Sequence, residues 1–114
     1  MRGIAFSVYG SPYQYKKVEA GQSAIVYKYD LPSDYVGFMY DLALSWYPKT
    51  YLGWEKDGEM IEQIEHEIGE FKRPKLFDPP YFFEKQMKFT AYNNSKSAQT
   101  FRILCDGLLI RKIT

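Results

Sequence analysis

With 114 residues, one cysteine and a formal net charge of +1, the chain is a single domain. It has no internal disulfide framework, and it lacks the clearly basic balance of a general nucleic-acid binder. No run approaches the ~20 apolar residues of a membrane-spanning helix, and the N-terminal residues show neither the apolar stretch nor the cleavage pattern of a signal peptide.

Ile4–Tyr9 alternates Ile4, Phe6 and Val8 with Ala5, Ser7 and Tyr9, which predicts a strand or an N-terminal arm able to pair with a neighbour. Gly10-Ser11-Pro12 breaks it, and Tyr13–Val18 is a second strand candidate. Residues 1–17 are thus an N-terminal strand or arm, and 18–114 the body of the same single domain. Ser23–Tyr29 alternates cleanly, and Leu31-Pro32 ends it because proline cannot donate to a ladder. Tyr35–Tyr47 is ambiguous: Val36, Phe38, Tyr40, Leu42, Leu44 and Trp46 share one parity, while Met39, Ala43 and Trp46 fit helical spacing. The β-branched and aromatic content favours a strand. Tyr51–Lys56 is a short strand closed by Asp57-Gly58, a hairpin signal.

Glu59–Glu70 is open between two readings. Ile61, Ile64, Ile68 and Phe71 fall at helical spacing, while Met60, Ile64, His66 and Ile68 share a strand face. The flanking β context favours the strand, with a short helix within 59–70 as the alternative. Gly69–Pro80 is read as a loop held extended by Arg73-Pro74 and Asp78-Pro79-Pro80. Tyr81–Tyr92 is the next strand. Asn93–Ser97 is a polar turn, although Asn93-Asn94-Ser95 also fits the glycosylation pattern. Thr100–Cys105 is a strand with Phe101, Ile103 and Cys105 on one side. Asp106-Gly107 is a second two-residue hairpin signal, after which Leu108–Ile113 returns. Met87–Ile113 is therefore expected to form three antiparallel strands. The whole reads as an all-β antiparallel sandwich, jelly-roll-like, of eight or nine strands.

Chemistry-bearing residues are sparse. His66 is the only histidine, so a multi-histidine metal site is excluded, and no nucleophile-elbow or glycine-rich phosphate loop accompanies it. Cys105 shares a strand face with Phe101 and Ile103 and reads as a small buried hydrophobe rather than a nucleophile. Glu62, Glu65, Glu67 and Glu70 spread along one segment like a solvated face rather than a glycosidase pair or a calcium loop. No cofactor and no catalytic or metal-binding residue is expected, and the chain is read as a non-enzyme.

Two surface features remain. Trp46, Tyr47, Tyr51 and Trp54 cluster around the Pro48 turn, where exposed rings would stack on sugars or anchor a protein interface; the competing reading places the two tryptophans in the core. Charge is divided along the chain: Glu55–Glu70 carries seven acids and one lysine, and Phe71–Thr114 nine Lys/Arg and three acids. This is either two solvated faces or a self-complementary surface in an oligomer. The candidate interaction surface is Trp46, Tyr47, Tyr51, Trp54, Glu62, Glu65, Arg73, Lys75, Arg111 and Lys112.

Several turn signals occur together: Glu19-Ala20-Gly21-Gln22-Ser23-Ala24-Ile25-Val26, then Leu31-Pro32, Gly37, Trp54 with Asp57-Gly58, Asn93 and Asp106-Gly107. Over Val18–Ile113 this layout resembles small jelly-roll structural proteins of tailed phages and related viruses. The resemblance implies a capsid decoration, head or tail-associated protein, assembled as a ring or trimer. It carries over no functional residues, because such proteins work through surfaces. The expected function is a non-enzymatic virion or assembly component with protein partners, acting through surfaces rather than clefts; a carbohydrate-binding module with a glycan partner is the alternative. The expected location is the virion, or the host cytoplasm during assembly, with no membrane and no specific nucleic acid.

Overall fold

A computed structural model of the chain describes residues 14–70 and 72–112, together with the backbone course of residues 3–7. These residues form nine strands: β1 (Gly3–Ser7), β2 (Gln14–Val18), β3 (Ser23–Asp30), β4 (Tyr35–Leu44), β5 (Thr50–Lys56), β6 (Glu59–Ile64), β7 (Lys75–Phe83), β8 (Gln86–Asn93) and β9 (Gln99–Arg111). No helix occurs among the described residues, and so none that is long and apolar enough to cross a membrane.

The strands make two antiparallel sheets, giving the β-sandwich that the strand spacing predicts. Sheet A runs β1-β9-β4-β7, with β2 also pairing β9; sheet B runs β3-β8-β5-β6. Strand β9 is the spine of sheet A. Along one side it pairs β4, and along the other it pairs β1 through Asp106–Ile110 and β2 through Gln99–Ile103. The N-terminal segment therefore completes the chain's own sheet.

The core lies between the sheets. Leu42, Leu44, Phe101, Ile103 and Cys105 enter it from sheet A, and Leu52, Trp54, Met87, Phe89 and Ala91 from sheet B. The period of two along each strand selects them: β8 is buried at every second residue, Met87 to Asn93. Burying each large side chain contributes on the order of 2 kcal/mol. Trp54 is the largest of them, with its ring against Phe89 at 5.4 Å, Tyr81 at 4.8 Å and Phe77 at 5.9 Å.

Several sequence expectations are corrected. Asp106-Gly107 is not a turn: β9 runs straight through it for 13 residues, with Asp106 paired to Asp41 and Gly107 to Met39. Ladder bonds and burial on both sides outweigh a two-residue turn preference that has nothing else to hold it. Met87–Ile113 thus supplies two strands rather than three, and Ile113 lies outside the described residues. Tyr81–Tyr92 is not one strand either. It is the end of β7 and the start of β8, separated at Glu84-Lys85, where the Asp57 carboxylate collects the backbone N–H groups of Glu84, Lys85 and Gln86. Part of the expected Gly69–Pro80 loop belongs to β7, whose middle bows out of register. Tyr81 pairs Met39 and Leu76 pairs Asp41, so Phe77–Pro80 stand opposite Tyr40 alone, and the Asp78–Pro79 peptide is cis.

Other readings hold. Tyr35–Leu44 is a strand. Glu59–Ile64 is a strand rather than a helix, followed by an irregular stretch whose Ile68 bridges to Leu44. Asp57-Gly58 is a hairpin turn with φ of 54° and 86°, the left-handed pair that this dipeptide tolerates. Of the two N-terminal strand candidates, Val8, Tyr9 and Tyr13 lie outside the described residues.

Candidate functional site

The aromatic cluster predicted around Pro48 is taken apart by the fold. Trp46 and Tyr47 are half-buried and tied to the turn itself. Trp46 Nε1–H donates to the Thr50 carbonyl at 2.9 Å, and Thr50 Oγ1–H donates to the Tyr47 carbonyl at 2.6 Å. Tyr47 reaches across to β9, its hydroxyl donating to the Thr100 carbonyl at 2.6 Å and its ring edge-on to Phe101. Tyr51 and Trp54 are three residues apart on β5, so the strand's period of two sends them to opposite faces. Tyr51 stacks on Tyr92 on the outer face of sheet B, with centroids 4.6 Å apart. Trp54 is buried, its indole N–H donating to the Met87 sulfur. Trp46, Tyr47, Tyr51 and Trp54 therefore do not form one flat platform for a sugar.

The charged candidates are also dispersed. Glu62 and Glu65 are exposed on and just after β6, at the margin of sheet B. Arg73 pairs Glu70 through backbone bonds, and Lys75 opens β7 with its ammonium 5.9 Å from the Phe77 ring. Arg111 and Lys112 are exposed where β9 ends, and the Lys112 N–H donates to the Asp34 carbonyl.

Among the described residues, no three His, Cys, Asp or Glu side chains come together as a metal-holding group. His66 is exposed, with Nδ1 2.8 Å from the Glu67 carbonyl. Cys105 is fully buried; burial pushes its thiol well above the ordinary range, and the nearby Asp106 and Asp41 add to this. Burial likewise raises the Tyr27 phenol, which hydrogen-bonds Cys105.

Neither a protein-family model nor a curated protein matches this chain.

Its surfaces are therefore judged by their own chemistry, and sequence reasoning missed two features of sheet A. The first is a pair of carboxyl groups. Asp41 on β4 lies directly opposite Asp106 on β9, and both are buried. Burial, then hydrogen bonding to Asp106 and its charge, pushes the Asp41 carboxyl up to about 7, and its Oδ1 has no partner among the described residues. A polar residue inside the apolar run Tyr35–Leu44 was the available signal. Asp106 was masked by its resemblance to a turn residue.

The second is the outer face of the same sheet. Between Met39 and Asp41 the β4 register shifts against both neighbours, leaving Tyr40 as the extra residue. Beyond that bulge Val36, Phe38, Leu108 and Ile110 point away from the core, with Phe82 beside them and the Phe38 and Phe82 rings 5.4 Å apart. Tyr40 and Phe82 remain 40% and 39% exposed, and the others half-buried. The outer face of sheet B is mixed: Lys28, Asp30, Thr90 and the Lys88–Glu55 ion pair at 3.3 Å stand beside Ile25 and the stacked Tyr51 and Tyr92 rings. An antiparallel sheet with one solvated face should look like sheet B. From Val36 to Tyr40 sheet A is apolar on both faces, whereas Asp106 and Arg102 lie further along the same side of β9; the apolar runs in β4 and β9 were the signal for that stretch.

The bowed middle of β7 also makes an open concavity of about 520 Å³, lined by Lys75, Phe77, Asp78, Pro79, Pro80 and Tyr81. It is formed by one strand alone and gathers no set of converging polar groups.

Proposed function

We propose that this chain is a non-enzymatic structural protein that works through protein–protein interfaces, as a phage-like virion or assembly component. The observation that carries the reading is the apolar outer face of sheet A, with Val36, Phe38, Tyr40, Phe82, Leu108 and Ile110 side by side where water would favour polar residues. A grouped apolar face of this kind is suited to burial against another protein. The strand order supports the virion part of the reading. With β1 and β2 taken as one interrupted margin, β1/β2-β9-β4-β7 against β3-β8-β5-β6 is the order of a jelly roll, in which successive strands mostly alternate between two sheets. The dispersal of His66, Cys105 and the glutamates to separate places agrees with a protein that acts by contact.

The test is light scattering on the purified chain together with co-sedimentation against capsid and tail proteins from the same genome. Association that the exposed-face variant Tyr40→Lys/Phe82→Lys weakens is the expected result. A strict monomer that sediments with none of those proteins would overturn the reading. With Trp54 in the core and Tyr51 on another face, the aromatic platform expected for the carbohydrate-binding alternative is not assembled.

A further inference from the structure

Two margins of the sandwich carry opposite charge. Strand β2 is an edge of sheet A, bonded on one side to β9. Its Lys16 and Lys17 are exposed, Tyr15 beside them is 64% exposed, and the first 18 residues contain no acid. Strand β6 is an edge of sheet B, bonded on one side to β5. Its Glu59 and Glu62 are exposed, Met60 between them is 52% exposed, and residues 57–70 contain six acids and no lysine or arginine.

The two edges cannot meet within one molecule. Strand β2 leads directly into β3, which forms one end of the order β3-β8-β5-β6, whereas β6 forms the other end. The complement of each edge is therefore on a different molecule. An exposed edge presents unpaired N–H and C=O groups that another strand can satisfy. Like edges repel here, lysines against lysines and glutamates against glutamates, so charge both disfavours β2–β2 and β6–β6 contacts and favours β2–β6. The ion pair that Lys17 already has with Glu19, at 3.9 Å and largely exposed, is too weak to neutralise the edge.

We infer that the partner for each edge is a second copy of this chain, with β2 of one molecule against β6 of the next. The contact is heterologous, so repetition gives a closed ring or an open filament rather than a two-fold dimer. Both outer sheet faces stay free in such an assembly. This inference rests on the interface reading above and names one of its partners.

The experiment compares the sedimentation of the intact chain with two charge-reversed forms, Lys16→Glu/Lys17→Glu and Glu59→Lys/Glu62→Lys. The unaltered chain is expected to associate, and its association constant to fall about tenfold or more between about 50 mM and about 0.5 M salt. Each variant alone has two edges of one sign and is expected to stay monomeric. An equal mixture of the two is expected to associate again, because each then supplies the edge the other lacks. Far-ultraviolet circular dichroism establishes that the variants are folded, and the salt response of the unaltered chain tests the idea without any substitution. Association that is indifferent to salt and to both variants would overturn the β2–β6 contact while leaving the interface reading in place. A chain that is monomeric alone yet sediments with capsid or tail proteins would do the same. Failure of every association would remove both.

Discussion

Asp41 and Asp106 share a cross-strand position on β4 and β9, at 7% and 4% exposure, and their carboxyl groups hydrogen-bond each other. Two carboxylates cannot do this without a proton, so one acid is held neutral well above the usual carboxylate range. The proton belongs to the pair, and burial is the largest reason it stays.

The sign of the pH effect follows. The folded chain holds a proton that the unfolded chain releases near pH 3.8, so this contribution to stability is complete below that value. It is lost as pH rises toward about 7, at no more than about 1.4 kcal/mol per pH unit for one proton. Thermal unfolding should therefore show a melting temperature that falls between about pH 5 and about pH 8. Asp41→Asn should flatten that fall, since an amide donates to Asp106 without needing a proton, and should be the more stable form at about pH 8 by roughly 1–2 kcal/mol. A melting temperature in the unaltered chain that rises over this window would refute the assignment.

Asp57 behaves in the opposite way. Burial alone would raise its carboxyl, but the backbone N–H groups of Gln86, Glu84 and Lys85, helped by Lys56, hold it below the usual range. A lowered folded value gives stability that is present above the unfolded value of 3.8 and lost as pH falls through the folded one. Asp57→Ala frees three donors at the β7–β8 turn and should cost about 2–3 kcal/mol at neutral pH; Asp57→Asn, which keeps an acceptor, should cost about 1. Chemical denaturation midpoints would measure both. Equal losses for the two variants would show that the charge is not what holds the turn.

The sequence made most of this fold legible and little of its surfaces. Alternation located β5 and β8, whose period of two is visible, and also β3, although there the register shifts at Val26, which is buried while Ile25 is exposed and Tyr27 and Tyr29 pack on the core. Asp57-Gly58 and Asn93–Ser97 were recognisable because their turn chemistry agrees with what surrounds them. Asp106-Gly107 misled for the converse reason. Its local preference is the same as that of Asp57-Gly58, and only pairing to β4 and β1, which the sequence does not display, sets it aside. Phe77–Pro80 misled similarly, two prolines suggesting a loop where the edge strand bows and continues. Which of Tyr51 and Trp54 would be buried could not be known until the inner face of β5 was fixed.

Gly37 gives a prediction about packing. It pairs with Phe83 across β4 and β7, and the Phe83 ring occupies the space a Cβ at residue 37 would need. Phe83 is fully buried, so the ring has no solvent to move into. Gly37→Ala should cost about 1–3 kcal/mol through overpacking. Adding Phe83→Leu should recover part of that loss, giving a double-variant cost smaller than the sum of the two single ones. Additive costs in denaturant titrations would show that the ring and the glycine are not in competition.

Cys105 provides a test of the core that requires no substitution. It faces the interior with Phe101 and Ile103, and burial raises its thiol, so thiolate is scarce and inaccessible. A colourimetric thiol reagent should react negligibly with the native chain and with one thiol per molecule in strong denaturant, as the single cysteine requires. Rapid reaction without denaturant would mean that the sheets part readily at β9.

Asn93 combines both kinds of argument, since it is fully buried and polar. Its Nδ2 donates to the carbonyls of Val18 and Ser97, both at 2.9 Å, and its Oδ1 accepts from the Ser95 N–H and hydroxyl. One side chain thus joins the end of β2 to the loop between β8 and β9. Asn93→Ala leaves those groups without partners and should cost about 2–4 kcal/mol. Asn93→Asp is nearly the same size and keeps an acceptor for Ser95, but it turns a carboxylate oxygen toward the Val18 and Ser97 carbonyls, acceptor against acceptors. At neutral pH it should therefore be at least as damaging as alanine, and it should regain stability in acid, where a protonated carboxyl can donate one bond. Denaturation of the three forms at about pH 7 and about pH 4 separates these effects; an aspartate form as stable as the original at neutral pH would show that the two carbonyls do not depend on the Asn93 amide.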